Sequence, residues 1–168
     1  VINKEPDERA VIRRAIDTIA ESTGIPPRGW MGPGLAETFD TPDILAEEGI
    51  EYVCEWCNDD QPYEMKVEKG RLVSVPYTLE LNDIPIYLAQ NHKSPEIFER
   101  ARDQFDTLYK EGADSARVMC VSTHPYITGV PHRIKYYNMI WEYIRQFHGV
   151  VFMTGSEILD WYNGAVAK

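Results

Sequence analysis

Patterns typical of buried strands alternate with patterns typical of helices along this chain, and that alternation constrains the fold most strongly. Short apolar runs predict strands at 50–56, 75–81, 116–121 and 150–153. Amphipathic segments separate them, and no internal repeat accompanies the alternation. Strands that alternate with helices pair in parallel, because each helix returns the chain across the sheet. The sequence therefore predicts an α/β domain with largely parallel strands.

Capping residues mark where two of the helices begin and end. Asp7 opens an amphipathic segment that stops before Gly24, a residue that readily takes the left-handed conformation found after helices. Ser94, Pro95 and Glu96 provide a cap, a first-turn proline and a first-turn acid for another such segment. We expect both segments to be helices that bury one apolar face.

Length and charge limit the possible partners. The chain has 168 residues, of which 43% are hydrophobic, and we expect one globular domain over residues 1–168. Its 27 acidic and 17 basic residues give a net charge of −10, which disfavours nucleic acids and anionic membrane surfaces. No apolar run approaches the roughly 18 residues of a membrane span. A small neutral amide or a neutral sugar remains a suitable substrate.

Cysteine usage predicts a reducing environment. Three cysteines are too few for a disulfide framework, and no signal peptide precedes the first helix, so we expect a cytoplasmic protein. Cys54 and Cys57 have the C-x-x-C spacing of a redox pair or of half a zinc site. No second pair follows, and residues three apart on a strand point to opposite faces. A structural role for both thiols is favoured.

A histidine follows the apolar run at 116–121. Pro125 holds its predecessor extended and cannot donate to a strand, so His124 is expected at the carboxyl end of that strand. Reacting groups collect at this edge of α/β sheets and barrels. The residues alone leave two alternatives open, which are a reacting group and a histidine that bonds a neighbouring carbonyl.

Two loops also carry polar or aromatic side chains that could form a site. The segment 26–34 holds three prolines and three glycines around Arg28 and Trp30, which indicates either a binding surface or a rigid turn with a core tryptophan. Asp59 and Asp60 follow a predicted strand. They indicate an Asx turn, or a polar site in which two buried carboxylates would raise each other's pKa.

Five segments in a fixed order carry a family resemblance: 29–30, 58–63, 75–83, 123–133 and 154–162. Together they resemble the C-terminal half of the polysaccharide deacetylase-like (NodB homology) family, and are most similar to its branch of allantoinase-type and cyclic-imide hydrolases. The resemblance implies the C-terminal half of a distorted (β/α) barrel. Because full barrels need about 250 residues, it also implies that the remaining N-terminal half of the barrel lies outside this chain and is its partner.

The same resemblance implies roles for three catalytic residues. His124 matches a late histidine that protonates the leaving group or stabilises the oxyanion, which suits a side chain that titrates near neutral pH. Asp59 and Asp60 match a motif whose carboxylate orients or tunes a catalytic partner. We expect these three side chains to act in catalysis.

Substrate contacts are implied for two groups of residues. Arg28, Trp30 and Met31 match a motif that shapes the substrate pocket, and Pro125 and Tyr126 directly follow the matched histidine. No metal ligand is assigned in this chain, because the family's Asp-Asp and H-x-x-x-H motifs do not occur in it. The catalytic base and any zinc or other divalent metal are expected from the remaining N-terminal half.

The activity implied by the resemblance is hydrolysis of a carbon–nitrogen bond in an amide or cyclic amide, as in allantoinases. The first alternative is a carbohydrate N-deacetylase that acts on polysaccharide or peptidoglycan. An open cleft lined by aromatic side chains would favour that alternative, and an enclosed pocket would favour a small cyclic amide. The second alternative is an inactive subunit or binding module. A homo-oligomer is expected.

Overall fold

The computed structural model describes residues 7–166, which fall into two compact units. The first unit runs to Val75 and resumes at Met153, and the second spans Pro76–Phe152. The prediction of a single domain over the whole chain stays a prediction. None of the described helices combines the length and the apolar character that are needed to cross a membrane.

Helices and short strands share the described part of the chain. In chain order the elements are α1 (Glu8–Thr23), β1 (Gly29–Trp30), a 3-10 turn (Pro33–Leu35), α2 (Thr41–Glu47), β2 (Tyr52–Val53), β3 (Tyr63–Met65), β4 (Leu72–Ser74), a π-helix (Ile84–Ala89), α3 (Glu96–Glu111), α4 (Pro125–Thr128), α5 (Ile134–Ile144) and α6 (Gly155–Val166).

One mixed sheet lies in the first unit. Its strand order is β1-β2-β4-β3, with β1, β2 and β4 parallel and β3 antiparallel to β4. The predicted α/β class and its parallel strands are thus confirmed for this unit, while the β3–β4 hairpin was not predicted. The strand expected at 50–56 is shorter than predicted and covers Tyr52–Val53.

Helix α1 begins and ends at the capping residues that the sequence predicts. The Asp7 side chain accepts a hydrogen bond from the Ala10 amide, and Gly24 takes the left-handed conformation with φ of 77°. Ile12 and Ile16 are buried in a cluster that includes Leu45 of α2. The predicted helix boundaries are therefore confirmed, and the helix packs through the apolar face that the sequence indicates.

The second unit is mainly helical. Its core contains the following buried residues: Leu81, Ile86, Tyr87, Ile97, Ala101, Phe105, Ile127, Ile140 and Ile144. Among its described residues, strand-like pairing is limited to one parallel bridge between Asn82 and Ser122. This bridge places the start of the π-helix beside the segment that leads to α4.

Three predicted strands, at 75–81, 116–121 and 150–153, are wrong. In the first, Pro76 has no amide hydrogen to donate, and the Thr78 side chain accepts the Leu81 amide at 2.9 Å, which closes a turn. In the second, residues 116–121 form no strand, and the described bridge lies at Ser122, whose amide donates to the Leu81 carbonyl at 2.9 Å.

Candidate active site

A buried aspartate holds the predicted histidine in place. Asp83 is fully buried, and its Oδ1 lies 2.7 Å from Nδ1 of His124. Its Oδ2 accepts the backbone amide of His124 at 2.7 Å and the hydroxyl of Thr128 at 2.6 Å. An ionised carboxylate only accepts hydrogen bonds, so this pairing directs the Nδ1 proton toward Asp83. Nε2 is left as the ring nitrogen that can exchange a proton with a substrate.

Local sequence explains how the two side chains meet. The bridge between Asn82 and Ser122 brings the residue before Asp83 alongside the segment that leads to His124. His124 has extended backbone angles, φ of −111° and ψ of 126°, and Pro125 begins α4. The predicted extended geometry of His124 is confirmed, because proline restricts the residue that precedes it.

The aromatic ring of Tyr126 lies next to His124. Its ring centroid lies 5.8 Å from that of His124 in an edge-on arrangement, and 70% of the residue is exposed. In the segment before His124, the hydroxyl of Ser122 lies 2.5 Å from the hydroxyl of Tyr77 and forms a hydrogen bond with it. The substrate-binding roles of Pro125 and Tyr126 stay predictions, and the exposed ring of Tyr126 is placed to contact a ligand near His124.

The catalytic roles expected for Asp59 and Asp60 stay predictions. Both residues are exposed, and Asp59 accepts the Gln61 amide at 2.9 Å, which is the Asx turn left open as an alternative. Neither residue is buried, so the alternative of two buried carboxylates does not apply. Asp83 makes the contact that was sought, and the polar pair Asn82-Asp83 after a predicted strand was the signal that could have indicated it.

Arg28 is engaged by carboxylates in the first unit. Its guanidinium donates to Glu51 at 2.6 and 3.1 Å and to Asp160 at 2.7 and 3.1 Å. Those hydrogen bonds raise the pKa of Arg28, and the bonds to Glu51 have the largest effect. Arg28 also precedes β1, so it lies at the amino edge of the parallel strands, where ligands are uncommon. Its substrate-binding role stays a prediction, but this geometry favours a structural role.

Trp30 and Met31 lie at the carboxyl end of β1. Met31 is 53% exposed, whereas Trp30 is half-buried and its Nε1 has no partner among the described residues. Glu55, at the carboxyl end of β2, is 7% exposed and accepts the Gly32 amide through Oε1. Burial raises the pKa of Glu55 to about 7. Sequence reasoning missed Glu55, because it lies within an apolar strand pattern.

Replacing Glu55 with glutamine should change how stability depends on pH. Because the pKa of Glu55 rises from 4.5 to about 7 on folding, the folded state retains a proton that the unfolded state has released between those values. Stability therefore falls as pH rises through this window, by up to roughly 3 kcal/mol. We expect Glu55→Gln to exceed the wild type in urea unfolding at pH 8 and to match it near pH 4.5. An equal difference at both pH values would contradict this assignment.

Metal ligands are not assembled in the described residues. No group of three or more histidine, cysteine, aspartate or glutamate side chains between 7 and 166 could hold a metal ion. Cys54 and Cys57 are half-buried, and burial raises the pKa of Cys57, so its thiol is less reactive than an exposed one. Zinc or another divalent metal from the rest of the protein stays a proposal.

Curated relatives of the chain carry deacetylase names. No family model matches the chain. A Schizosaccharomyces pombe protein named "Putative polysaccharide deacetylase" is 35% identical over 137 residues, which cover 74% of this chain and 38% of that protein. A Helicobacter pylori peptidoglycan deacetylase is 26% identical over 186 residues, which cover 91% of this chain and 62% of that protein.

Solved structures with the same fold have two kinds of name. The Puue allantoinase has a TM-score of 0.83 and 29% identity, over 94% of this chain and 53% of its own. A Pseudomonas aeruginosa protein titled "probable Polysaccharide deacetylase" has a TM-score of 0.83 and 27% identity, over 91% of this chain and 52% of its own.

The chain thus spans about half the length of the proteins it matches, and the half-barrel interpretation stays a prediction. Its placement in the allantoinase-type branch also stays a prediction, since deacetylases and an allantoinase both match. The four proteins named here carry deacetylase or allantoinase names. The resemblance of this chain to the polysaccharide deacetylase-like (NodB homology) family, predicted from its sequence, is therefore confirmed.

Proposed function

We propose that the protein containing this chain hydrolyses the carbon–nitrogen bond of an N-acyl amide as a carbohydrate N-deacetylase. The observation that carries this proposal is the pairing of His124 with the buried carboxylate of Asp83. Both curated relatives and one structural neighbour are named deacetylases, whereas one structural neighbour is named an allantoinase. The allantoinase-like activity expected from the sequence is therefore the second candidate.

His124 provides the proton that amide cleavage requires. Water adds to the amide carbonyl and forms a tetrahedral intermediate, whose amine leaves only after it is protonated. Nε2 of His124 gives that proton to the nitrogen as the carbon–nitrogen bond breaks, and acetate and a free amine result. The carboxylate of Asp83 stabilises the imidazolium that donates the proton. The base that deprotonates the water is proposed to come from the rest of the protein.

The surroundings of His124 suit a neutral sugar. The exposed ring of Tyr126 offers an apolar face beside the reacting nitrogen, and a net charge of −10 opposes polyanionic substrates. Association into a homo-oligomer and a cytoplasmic location stay predictions.

A substrate comparison with the complete protein tests the proposal. We expect acetate release from an N-acetylglucosamine oligomer or from peptidoglycan, and no ring opening of allantoin. Ring opening of allantoin without acetate release would establish the second candidate instead. If the purified protein converts neither substrate, the interpretation as an inactive subunit or binding module replaces both.

A further inference from the structure

Three buried polar atoms without hydrogen-bond partners occur at one edge of the first unit's sheet. They are Nε1 of Trp30, Oε2 of Glu55 and Oε1 of Glu37. Trp30 ends β1, and Glu55 lies two residues beyond the end of β2. A buried polar group without a partner costs about 1–3 kcal/mol, and most such groups are paired. Three of them at the edge where α/β sheets bind ligands indicate a ligand that supplies the missing partners.

Two of these groups, Trp30 and Glu55, lie close to Gly32. Its amide donates to Oε1 of Glu55. A Cβ atom added to Gly32 would lie 3.1 Å from that oxygen, 3.6 Å from Nε1 of Trp30 and 2.9 Å from the Ala36 carbonyl. Any side chain at this position would occupy the space next to both groups. Glycine at this position therefore leaves no side chain of its own next to the indole N–H and the carboxylate.

Glu37 adds a second carboxylate to the same region. Its Oε2 accepts the indole N–H of Trp56 at 2.9 Å, which leaves Oε1 as the unpartnered atom. Burial, and to a smaller extent the charge of Glu37, raise the pKa of Glu55. The charge of Glu37 thus acts on Glu55, and Glu55 is ionised when the pH is well above 7.

The donor and acceptors select a class of ligand. The two carboxylates would repel an anion. The N–H of the Trp30 indole is a donor only and presents its positive end, which disfavours a cation. A neutral secondary amide satisfies both kinds of group at once. Its carbonyl can accept from Nε1 of Trp30, and its N–H can donate to Oε2 of Glu55.

We propose that Trp30, Glu55 and Glu37 form a binding site for the secondary amide of an N-acyl group. The choice of an amide over other neutral groups that both donate and accept rests on the proposed deacetylase function. Trp30 holds the carbonyl, Glu55 holds the N–H, and Glu37 keeps a second acceptor beside them.

Binding of N-acetylglucosamine to the complete ¹⁵N-labelled protein at pH 8 tests this site. The indole N–H signal of Trp30, assigned by its loss in Trp30→Phe, should shift with N-acetylglucosamine and not with glucosamine, which lacks the amide carbonyl. Trp30→Phe and Glu55→Gln each remove one of the two hydrogen bonds. We expect each to raise Kd about tenfold, the effect of roughly 1.4 kcal/mol.

Matched controls separate this site from general effects. Trp161→Phe changes an exposed tryptophan of α6, and Glu64→Gln changes an exposed glutamate of β3 paired with Arg71. Both should bind N-acetylglucosamine with the wild-type Kd. If Trp30→Phe does not fold, Glu55→Gln together with the wild-type signal decides the question. A wild-type Kd in Glu55→Gln, or an indole signal of Trp30 that does not move, would mean that buried water alone satisfies these atoms.

Acetate release in the same samples distinguishes failure of the site from failure of the proposed function. Acetate release with an unchanged KM in Trp30→Phe and Glu55→Gln would leave the function standing and overturn the site. Conversely, amide binding at Trp30 in a protein that releases no acetate would leave the site standing and overturn the function.

Discussion

Replacing His124 with alanine is expected to lower kcat of the complete protein by roughly 10²–10⁴, which is the usual contribution of a positioned proton donor. The variant removes the partner of Oδ1 of the buried Asp83, but the His124 side chain is 35% exposed, so water can take its place. The melting temperature should therefore fall less than in a variant of Asp83 itself. Acetate release at saturating substrate measures the effect. His148→Ala is the matched control, since His148 is exposed.

The pH profile provides a second measurement on His124. A general acid must be protonated to act, so the rate should fall toward high pH, and this limb of the profile should vanish in His124→Ala. A structural histidine would behave in the opposite way, with lower stability and an unchanged kcat for each folded molecule. An unchanged kcat with the limb intact would overturn the proposed role.

Replacing Asp83 with asparagine should have an effect of similar size, because it disturbs the partner of the histidine. Asparagine keeps the shape of the side chain but presents an amide N–H₂ where one carboxylate oxygen now accepts. That group opposes a donor, either Nδ1–H of His124 or the pair formed by the His124 amide and the Thr128 hydroxyl. We expect kcat to fall roughly 10²–10⁴-fold.

Stability distinguishes Asp83→Asn from the histidine variant. Leaving a buried donor without an acceptor costs about 1–3 kcal/mol, so Asp83→Asn should also lower the melting temperature. Asp103→Asn, on an exposed part of α3, serves as the control and should change neither quantity. Thr128→Val removes one donor to Asp83 and should reduce kcat less than Asp83→Asn does. If Asp83→Asn retained wild-type kcat, the pairing would be structural only.

The helices were predictable because their determinants are local. Asp7 and Gly24 lie at the two ends of α1, and both act within one turn of the helix. Strands depend instead on a partner that lies far along the chain. The segment 116–121 has the composition of a strand, yet it forms no strand in the described part of the chain. Composition alone could not reveal that difference.

The candidate site also has one part that local sequence predicts and another that depends on distant contacts. The extended backbone at His124 follows from Pro125 next to it in the sequence, and it was predicted. The role of Asp83 depends on a contact across 41 positions, and no local pattern separates it from the exposed acids at 59 and 60. The buried state of Glu55 was likewise hidden, since a glutamate in a strand pattern is usually exposed.

Two glycines of the first unit have a consequence for mutational scans. A Cβ atom at Gly29 would overlap the Tyr52 ring, and one at Gly155 would lie 2.7 Å from it. That ring packs in a cluster with Val73 and Leu159, so it has little room to move. In a library that scores only growth or activity, both glycines should therefore be as intolerant of change as a reacting residue. A smaller residue at Tyr52 should make alanine tolerated at those two positions, because it frees the space that the ring occupies. No such second substitution should rescue a variant of His124, because the loss there is chemical.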